Sequence, residues 1–253
     1  MAEARSRLLG AASDREAIAE VRSGIPALSS RVAHEFVAVI AEIKRSSPSR
    51  GVINSAIDSA ARAKQYETGG ASALSVLTEP DRFGGSDDDL MRVMQATTLP
   101  VLRKDFHVTA LQLEHAARLG ASAALVIVRS VSPSKLRELA AAGRELDLEI
   151  VFEVRDEREL ERALESGARV VGVNNRNLET LEIDRDTVSR IVPLVPADCF
   201  AIAESGYSSP EAIKDAAAAG ADAVLVGSYL SASRDPVAAV KGIASVPRRP
   251  RRD

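Results

Sequence analysis

Eight short apolar runs recur along the chain, at Phe36–Lys44, Ala73–Leu77, Pro100–Asp105, Ala123–Val128, Glu149–Val154, Val170–Asn174, Phe200–Glu204 and Ala223–Val226. Each is rich in Val, Ile, Leu and Ala, is too short for a good helix and lacks a clean polar face. That pattern predicts strands covered on both sides. Segments of helical period lie between them, at Asp58–Thr68, Asp87–Ala96, Thr109–Leu119, Pro133–Leu146, Glu157–Ser166, Arg185–Leu194, Pro210–Ala219 and Pro236–Ile243. Start signals stand at Ser86, Ser132, Ser208 and Asp235. Ahead of the first strand, Asp14–Gly24 suits a short amphipathic helix capped by Ser13 or Asp14 and stopped by Gly24. Ile25–Ser30 reads as a connector.

A weak internal repeat runs through this alternation. A helix ends in Gly-Ala and a strand follows at Gly70-Ala71, Gly120-Ala121, Gly167-Ala168 and Gly220-Ala221, roughly fifty residues apart, two strand–helix units per interval. Glycine suits a left-handed helix stop. Eight units in one chain of this length predict an α/β fold, a single closed (β/α)8 TIM barrel with a short N-terminal helical lead segment. A doubly wound open sheet is the runner-up. It should carry a Gly-rich phosphate loop after its first strand, where this chain has KRSSPSRG. The expected organisation is a lead segment over 1–35, the barrel over 36–245 and a basic, disordered tail over 246–253.

Composition removes several function classes. The net charge of −3 gives no global field that would favour nucleic acid or a membrane surface. Trp is absent and aromatics are 3%, which argues against base stacking. No apolar run has the length of a membrane span, and the N-terminus lacks a signal-peptide core, so a cytoplasmic protein is expected. The single cysteine, Cys199, lies in an apolar run and reads as a small buried residue.

The charges that do occur sit in unusual places. In VIAEIKRSSPS (Val39–Ser49) side chains two apart share a strand face, so Ile40, Glu42 and Lys44 point one way and Val39, Ala41 and Ile43 the other. One solvated strand face would explain a single such segment, but charged strand ends recur. Lys104 ends the third strand, Glu153 the fifth, Asn174 the sixth with Arg176 just beyond, and Glu204 the seventh. Barrel active sites lie at the C-terminal ends of the strands, and odd strands share an interior layer. Lys44, Lys104, Glu153 and Glu204 are therefore expected to meet in one mouth and perturb one another. Lys104, next to Lys44, is expected to release its proton more easily than in water. Any one of these residues could instead form a structural ion pair. Strands 7 and 8 end in Glu204-Ser205-Gly206 and Val226-Gly227-Ser228, places where barrels bind phosphate. Ordinary turns use the same residues.

The other polar residues say less. His34, His107 and His115 are scattered, without metal-ligand spacing, so no metal is expected, and His107 reads as a loop histidine without a catalytic role. There is no Gly-x-Ser-x-Gly elbow. Phe83 and Phe106 lie in site-end loops of an aromatic-poor chain and read as walls of an apolar ligand pocket.

Taken in order, AEIKRSSPSRG, SVLTEPDRFGGS, PVLRKDFHV, VFEV, VGVNNRNLETLEID, AESGY and LVGS resemble the motifs of indole-3-glycerol phosphate synthase, a likeness that runs from about Asp14 to Ile243. The resemblance implies ring closure, decarboxylation and dehydration of 1-(2-carboxyphenylamino)-1-deoxyribulose 5-phosphate in tryptophan biosynthesis, with no cofactor and no metal. It implies Lys104 as general acid on the ketone and Glu153 as its acid–base partner in dehydration. Lys44 would hold substrate anions, oriented by Glu42. Asn174 and Arg176 would position substrate, and Glu204 would tune the charges. Ser47, Ser205, Gly206, Gly227 and Ser228 would cradle phosphate or a neighbouring anion, while Phe83, Phe106, Leu125, Ile127 and Leu178 would wall the ring. His107, Arg155 and SYLSAS (Ser228–Ser233) depart from the common pattern. The expected partner is a small phosphorylated substrate, with no nucleic acid and no membrane, and a monofunctional monomer is expected.

Two other readings fit the same inventory. Lys104 could form a Schiff base in an aldolase-like barrel. A phosphosugar-binding barrel without catalysis is the second, although it leaves Lys104 and Glu153 without a purpose.

Overall fold

The computed structural model describes residues 16–30 and 35–251. Its strands are β1 (Ala38–Ile43), β2 (Ala73–Leu77), β3 (Val101–Lys104), β4 (Ala123–Ile127), β5 (Glu149–Val154), β6 (Val170–Asn174), β7 (Phe200–Glu204) and β8 (Ala223–Val226). All eight are parallel and pair in chain order, and β1 closes the barrel on β8. The principal helices are α1 (Ser59–Thr68), α2 (Asp87–Ala96), α3 (Ala110–Arg118), α4 (Pro133–Glu145), α5 (Glu157–Glu165), α6 (Asp186–Ile191), α7 (Pro210–Ala218) and α8 (Pro236–Ala244). The (β/α)8 barrel expected from the sequence is thus formed.

Local chemistry explains the boundaries. Asp58, Ser86, Thr109, Ser132, Asp156, Ser209 and Asp235 each accept a backbone N–H from the first turn of the helix they precede. The repeated Gly-Ala pairs stop helices as expected. Gly70, Gly120, Gly167 and Gly220 all have φ between 85° and 96°. The N–H groups of Ala71, Ala121, Ala168 and Ala221 reach back to the carbonyls of Tyr66, Ala116, Ala163 and Ala216.

Strand alternation builds two apolar layers. Val39, Ala41 and Ile43 of β1 pack outward against the helices, while Ala38 and Ile40 face the barrel interior with Leu102, Leu125, Val151 and Ile202. Leu28 joins that interior cluster, and Ser29 is held by Glu149 at the start of β5. Residues 16–22 are helical, and Arg22 donates to the carbonyl of Ala121. Ser13, Asp14 and His34 lie outside the described residues.

Three features depart from the sequence expectation. Ser46–Ser47 and Gly51–Val52 form a small hairpin after β1. Pro80–Phe83 is a short helix where a loop was expected, because Glu79 accepts the N–H groups of Asp81, Arg82 and Phe83, and a further short helix, Ser228–Ala232, follows β8. The tail is docked rather than disordered over 246–251. Arg248 and Arg251 both pair with buried Asp222, at 2.9 and 2.8 Å, and Arg251 also donates to the carbonyl of Gly220. Val246 is buried in the core, and the basic stretch after it is anchored because a buried carboxylate demands cations.

Candidate active site

The C-terminal ends of the strands enclose a cavity of about 470 Å³. Every residue expected at the site from the sequence lies on its wall.

The odd strands supply its charged floor. Lys104 Nζ is 2.7 Å from Glu204 Oε2 and 3.4 Å from Glu153 Oε2. Lys44, one residue past β1, is 3.3 Å from Glu42 Oε1. The three carboxylates are at most 5% exposed. Burial works to lower the Lys104 pKa, but Glu204, Glu153 and Glu42 outweigh it and hold the ammonium above its ordinary range. This corrects the expectation of easier proton release: carboxylates, not Lys44, dominate the field at Lys104. Burial also pushes Glu204 up, partly opposed by Lys104, to about 7. Glu42 Oε2, Glu204 Oε1 and Ser47 Oγ are buried without a hydrogen-bond partner among the described residues. A site left so incomplete by its own protein is suited to a polar ligand.

Two glycines make room for the acids. A Cβ on Gly172 would stand 2.3 Å from Glu204 Oε1, and one on Gly227 would stand 2.1 Å from Glu42 Oε1. Gly227 therefore serves carboxylate packing as well as lining the mouth.

The turns after β7 and β8 lie directly beside the acids, Ser205 following Glu204 and Gly227 abutting Glu42. Ser205 and Gly206 follow β7 with φ of 69° and 89°. Gly227 and Ser228 open the short helix Ser228–Ala232. The side wall is apolar, built from Leu125, Ile127, Leu178 and the Phe83–Phe106 pair, whose centroids are 6.5 Å apart. Lys44 Nζ sits 5.6 Å from the Phe83 centroid. Asn174 accepts the N–H of Arg176, and the Arg176 guanidinium donates to the carbonyl of Leu181. Burial and then Arg50 depress the Arg176 pKa.

Sequence reasoning passed over Arg50, Arg185 and Tyr207, which also line the cavity. Arg50 lies within the SPSRG stretch, but no strand or helix period locates a side chain there. The hairpin brings it in. Arg45 anchors that hairpin by a paired contact with Asp89 on α2. His107 is buried in the loop after β3. Its Nδ1 is 2.8 Å from the Leu125 carbonyl, and burial lowers its pKa to about 4, so it ties the loop after β3 to β4 as a neutral ring.

A family model described as indole-3-glycerol phosphate synthase matches residues 3–243. The chain belongs to this family. The indole-3-glycerol phosphate synthase of Streptomyces griseus subsp. griseus is 45% identical over 226 residues, 89% of this chain and 82% of that protein. That of Kineococcus radiotolerans is 49% identical over 209 residues, 83% and 76% of the two chains. The fold alone is shared with a thiamine phosphate pyrophosphorylase from Pyrococcus furiosus, at TM-score 0.61 and 14% identity over 83% of this chain and 95% of that one. In this chain the acids, lysines and apolar wall occupy the strand ends of that shared barrel.

Proposed function

We propose that Lys104 is the centre of catalysis in this cavity. The chain is a carboxy-lyase of tryptophan biosynthesis, which closes the indole ring of 1-(2-carboxyphenylamino)-1-deoxyribulose 5-phosphate with loss of CO2 and water. The observation that carries the assignment is the contact of one half-buried ammonium with two buried carboxylates, Glu204 and Glu153.

In this reading Lys104 donates a hydrogen bond to the ketone oxygen, and its charge offsets the developing oxyanion. Held strongly protonated, it acts more through charge than as a ready acid. Glu204, with both protonation states populated near neutrality, can take up or return its proton. Glu153 serves dehydration. Lys44, oriented by Glu42, holds substrate anions with Ser47, while Asn174 and Arg176 position the carboxylate end. Phosphate anchors at Ser205, Gly206, Gly227 and Ser228, and the ring rests against Phe83, Phe106, Leu125, Ile127 and Leu178. The aldolase-like alternative needs a neutral amine, which three carboxylates around Lys104 disfavour.

The protein is further read as a cytoplasmic monomer with one catalytic barrel over 36–245. No helix among the described residues is long and apolar enough to cross a membrane, and the substrate is a small phosphorylated metabolite. Incubation with the carboxyphenylamino substrate should give indole fluorescence and CO2. Folded protein that produces neither would reject the reading.

A further inference from the structure

We propose that Asn175, one residue beyond β6, is a positioning residue that fixes the phosphate-binding turn after β7 by holding the Ser205 carbonyl. The proposal rests on the reading that phosphate anchors at Ser205, Gly206, Gly227 and Ser228.

Asn175 is 2% exposed, and both ends of its amide are in use. Nδ2 donates to the Ser205 carbonyl at 3.2 Å and to Tyr207 Oη at 3.4 Å. Oδ1 accepts the N–H of Val188 at 3.0 Å, in the first turn of α6. A backbone N–H can only donate and a carbonyl can only accept, so the amide has one permitted orientation. The Asn175 main chain joins the same knot. Its N–H donates to the Glu204 carbonyl, and its carbonyl accepts from Asp184.

The held residue needs a restraint. Ser205 sits at φ 69°, a left-handed conformation that disfavours a residue with a side chain. Gly206 follows at 89°, and a Cβ there would meet Ile183 Cγ2 at 3.0 Å. Two successive left-handed residues turn the chain sharply away from the end of β7, directly after the Glu204 carboxylate. Strain of this kind persists where neighbours over-determine it. Asn175 is such a neighbour, and it links the turn to Tyr207 and to α6 at the same time.

Asn175→Asp keeps the size and the acceptor but loses the donor to Ser205. Its effect is expected in binding rather than chemistry: KM for the phosphorylated substrate and the inhibition constant of inorganic phosphate should both rise about tenfold or more, with kcat changed by less than about threefold. Asn175→Ala tests the same point without a new charge and stands in if the Asp variant does not fold. Adding Ser205→Gly to either variant should recover part of the lost phosphate affinity, because glycine takes the left-handed conformation unaided. A purely structural asparagine would give neither the split between KM and kcat nor the rescue. Folded variants with unchanged KM and phosphate inhibition would overturn the proposal, as would a loss that Ser205→Gly fails to reduce. Ser228→Asp separates the underlying reading: it should weaken phosphate inhibition by charge repulsion. If it does not, the phosphate reading falls and the role of Asn175 with it. If it does while both Asn175 variants bind phosphate normally, the role of Asn175 alone is wrong.

Discussion

β6 carries no side chain at Gly172 because the Glu204 carboxylate of the neighbouring strand occupies that space, 2.3 Å from where a Cβ would stand. Gly172 is paired with Ile202 in the register of β6 and β7, two residues before Glu204. The acid leans back over Gly172 and from there reaches Lys104.

Gly172→Ala should therefore displace Glu204 from Lys104. Val151 Cγ1, at 3.2 Å, closes the other side of the same space. Overpacking of this kind costs about 1–3 kcal/mol, so the melting temperature should fall. Turnover should fall as well, by about tenfold, if the Lys104–Glu204 contact contributes about 1.4 kcal/mol to the barrier. Thermal unfolding and steady-state kinetics on one preparation check both. Full turnover with a displaced carboxylate would remove Glu204 from the mechanism.

Lys104→Met keeps most of the stem and removes the charge and proton. Ring closure should drop by more than about tenfold, over ~1.4 kcal/mol in the barrier, while substrate binding suffers less because Lys44 and the phosphate turns remain. Single-turnover kinetics measure the step. Borohydride treatment of the wild type with substrate tests the alternative, since an imine on Lys104 would be trapped and a hydrogen-bond donor would not.

Glu153→Gln keeps the shape but cannot exchange a proton, and a loss of about 10²–10⁴-fold in rate is expected. An intermediate retained after ring closure, seen by rapid quench, would tie Glu153 to dehydration. An unchanged rate would make its contact with Lys104 structural.

Stability should depend on pH through Glu204. Burial raises its pKa from 4.5 to about 7, so between those values the folded protein holds a proton that the unfolded chain has released. Folding stability from this group is thus lost as pH rises through the window. Glu204→Gln removes the titration. Relative to wild type the variant should gain stability from pH 4.5 towards 7, by at most about 1.4 kcal/mol per pH unit. Urea unfolding across that range measures the difference, and a flat one would show that burial does not perturb Glu204.

Arg251→Ala should lower stability and leave kcat/KM unchanged. Its guanidinium and that of Arg248 neutralise Asp222, whose Oδ2 also accepts the N–H of Ala201 at the start of β7. Losing one cation leaves a buried carboxylate partly uncompensated, at a cost of about 1–3 kcal/mol. Calorimetry alongside activity assays would reveal it, and an unchanged melting temperature would mean that Arg248 suffices.

Much of this was legible in the residues themselves. Strand and helix periods differ, so β2, β5, β6, β7 and β8 could be delimited to the residue, and Gly-Ala pairs marked helix stops because only a residue without Cβ turns left-handed cheaply. Alternation along a strand put Glu42 on the interior face and Val39 on the helix face. The strand ends named Lys104, Glu153 and Glu204 because a barrel gathers its odd strands into one layer. Other features required the tertiary structure. The hairpin bearing Arg50, the burial of His107 and the docking of Arg251 depend on groups from distant segments, the Asp89 carboxylate, the Leu125 carbonyl and the Asp222 carboxylate, which no local period encodes. The sign of the Lys104 perturbation belongs here too. The sequence supplied two lysines and three acids, but a Coulomb field follows distance, and only the closed barrel set Glu204 and Glu153 nearest to Lys104 while Lys44 paired with Glu42.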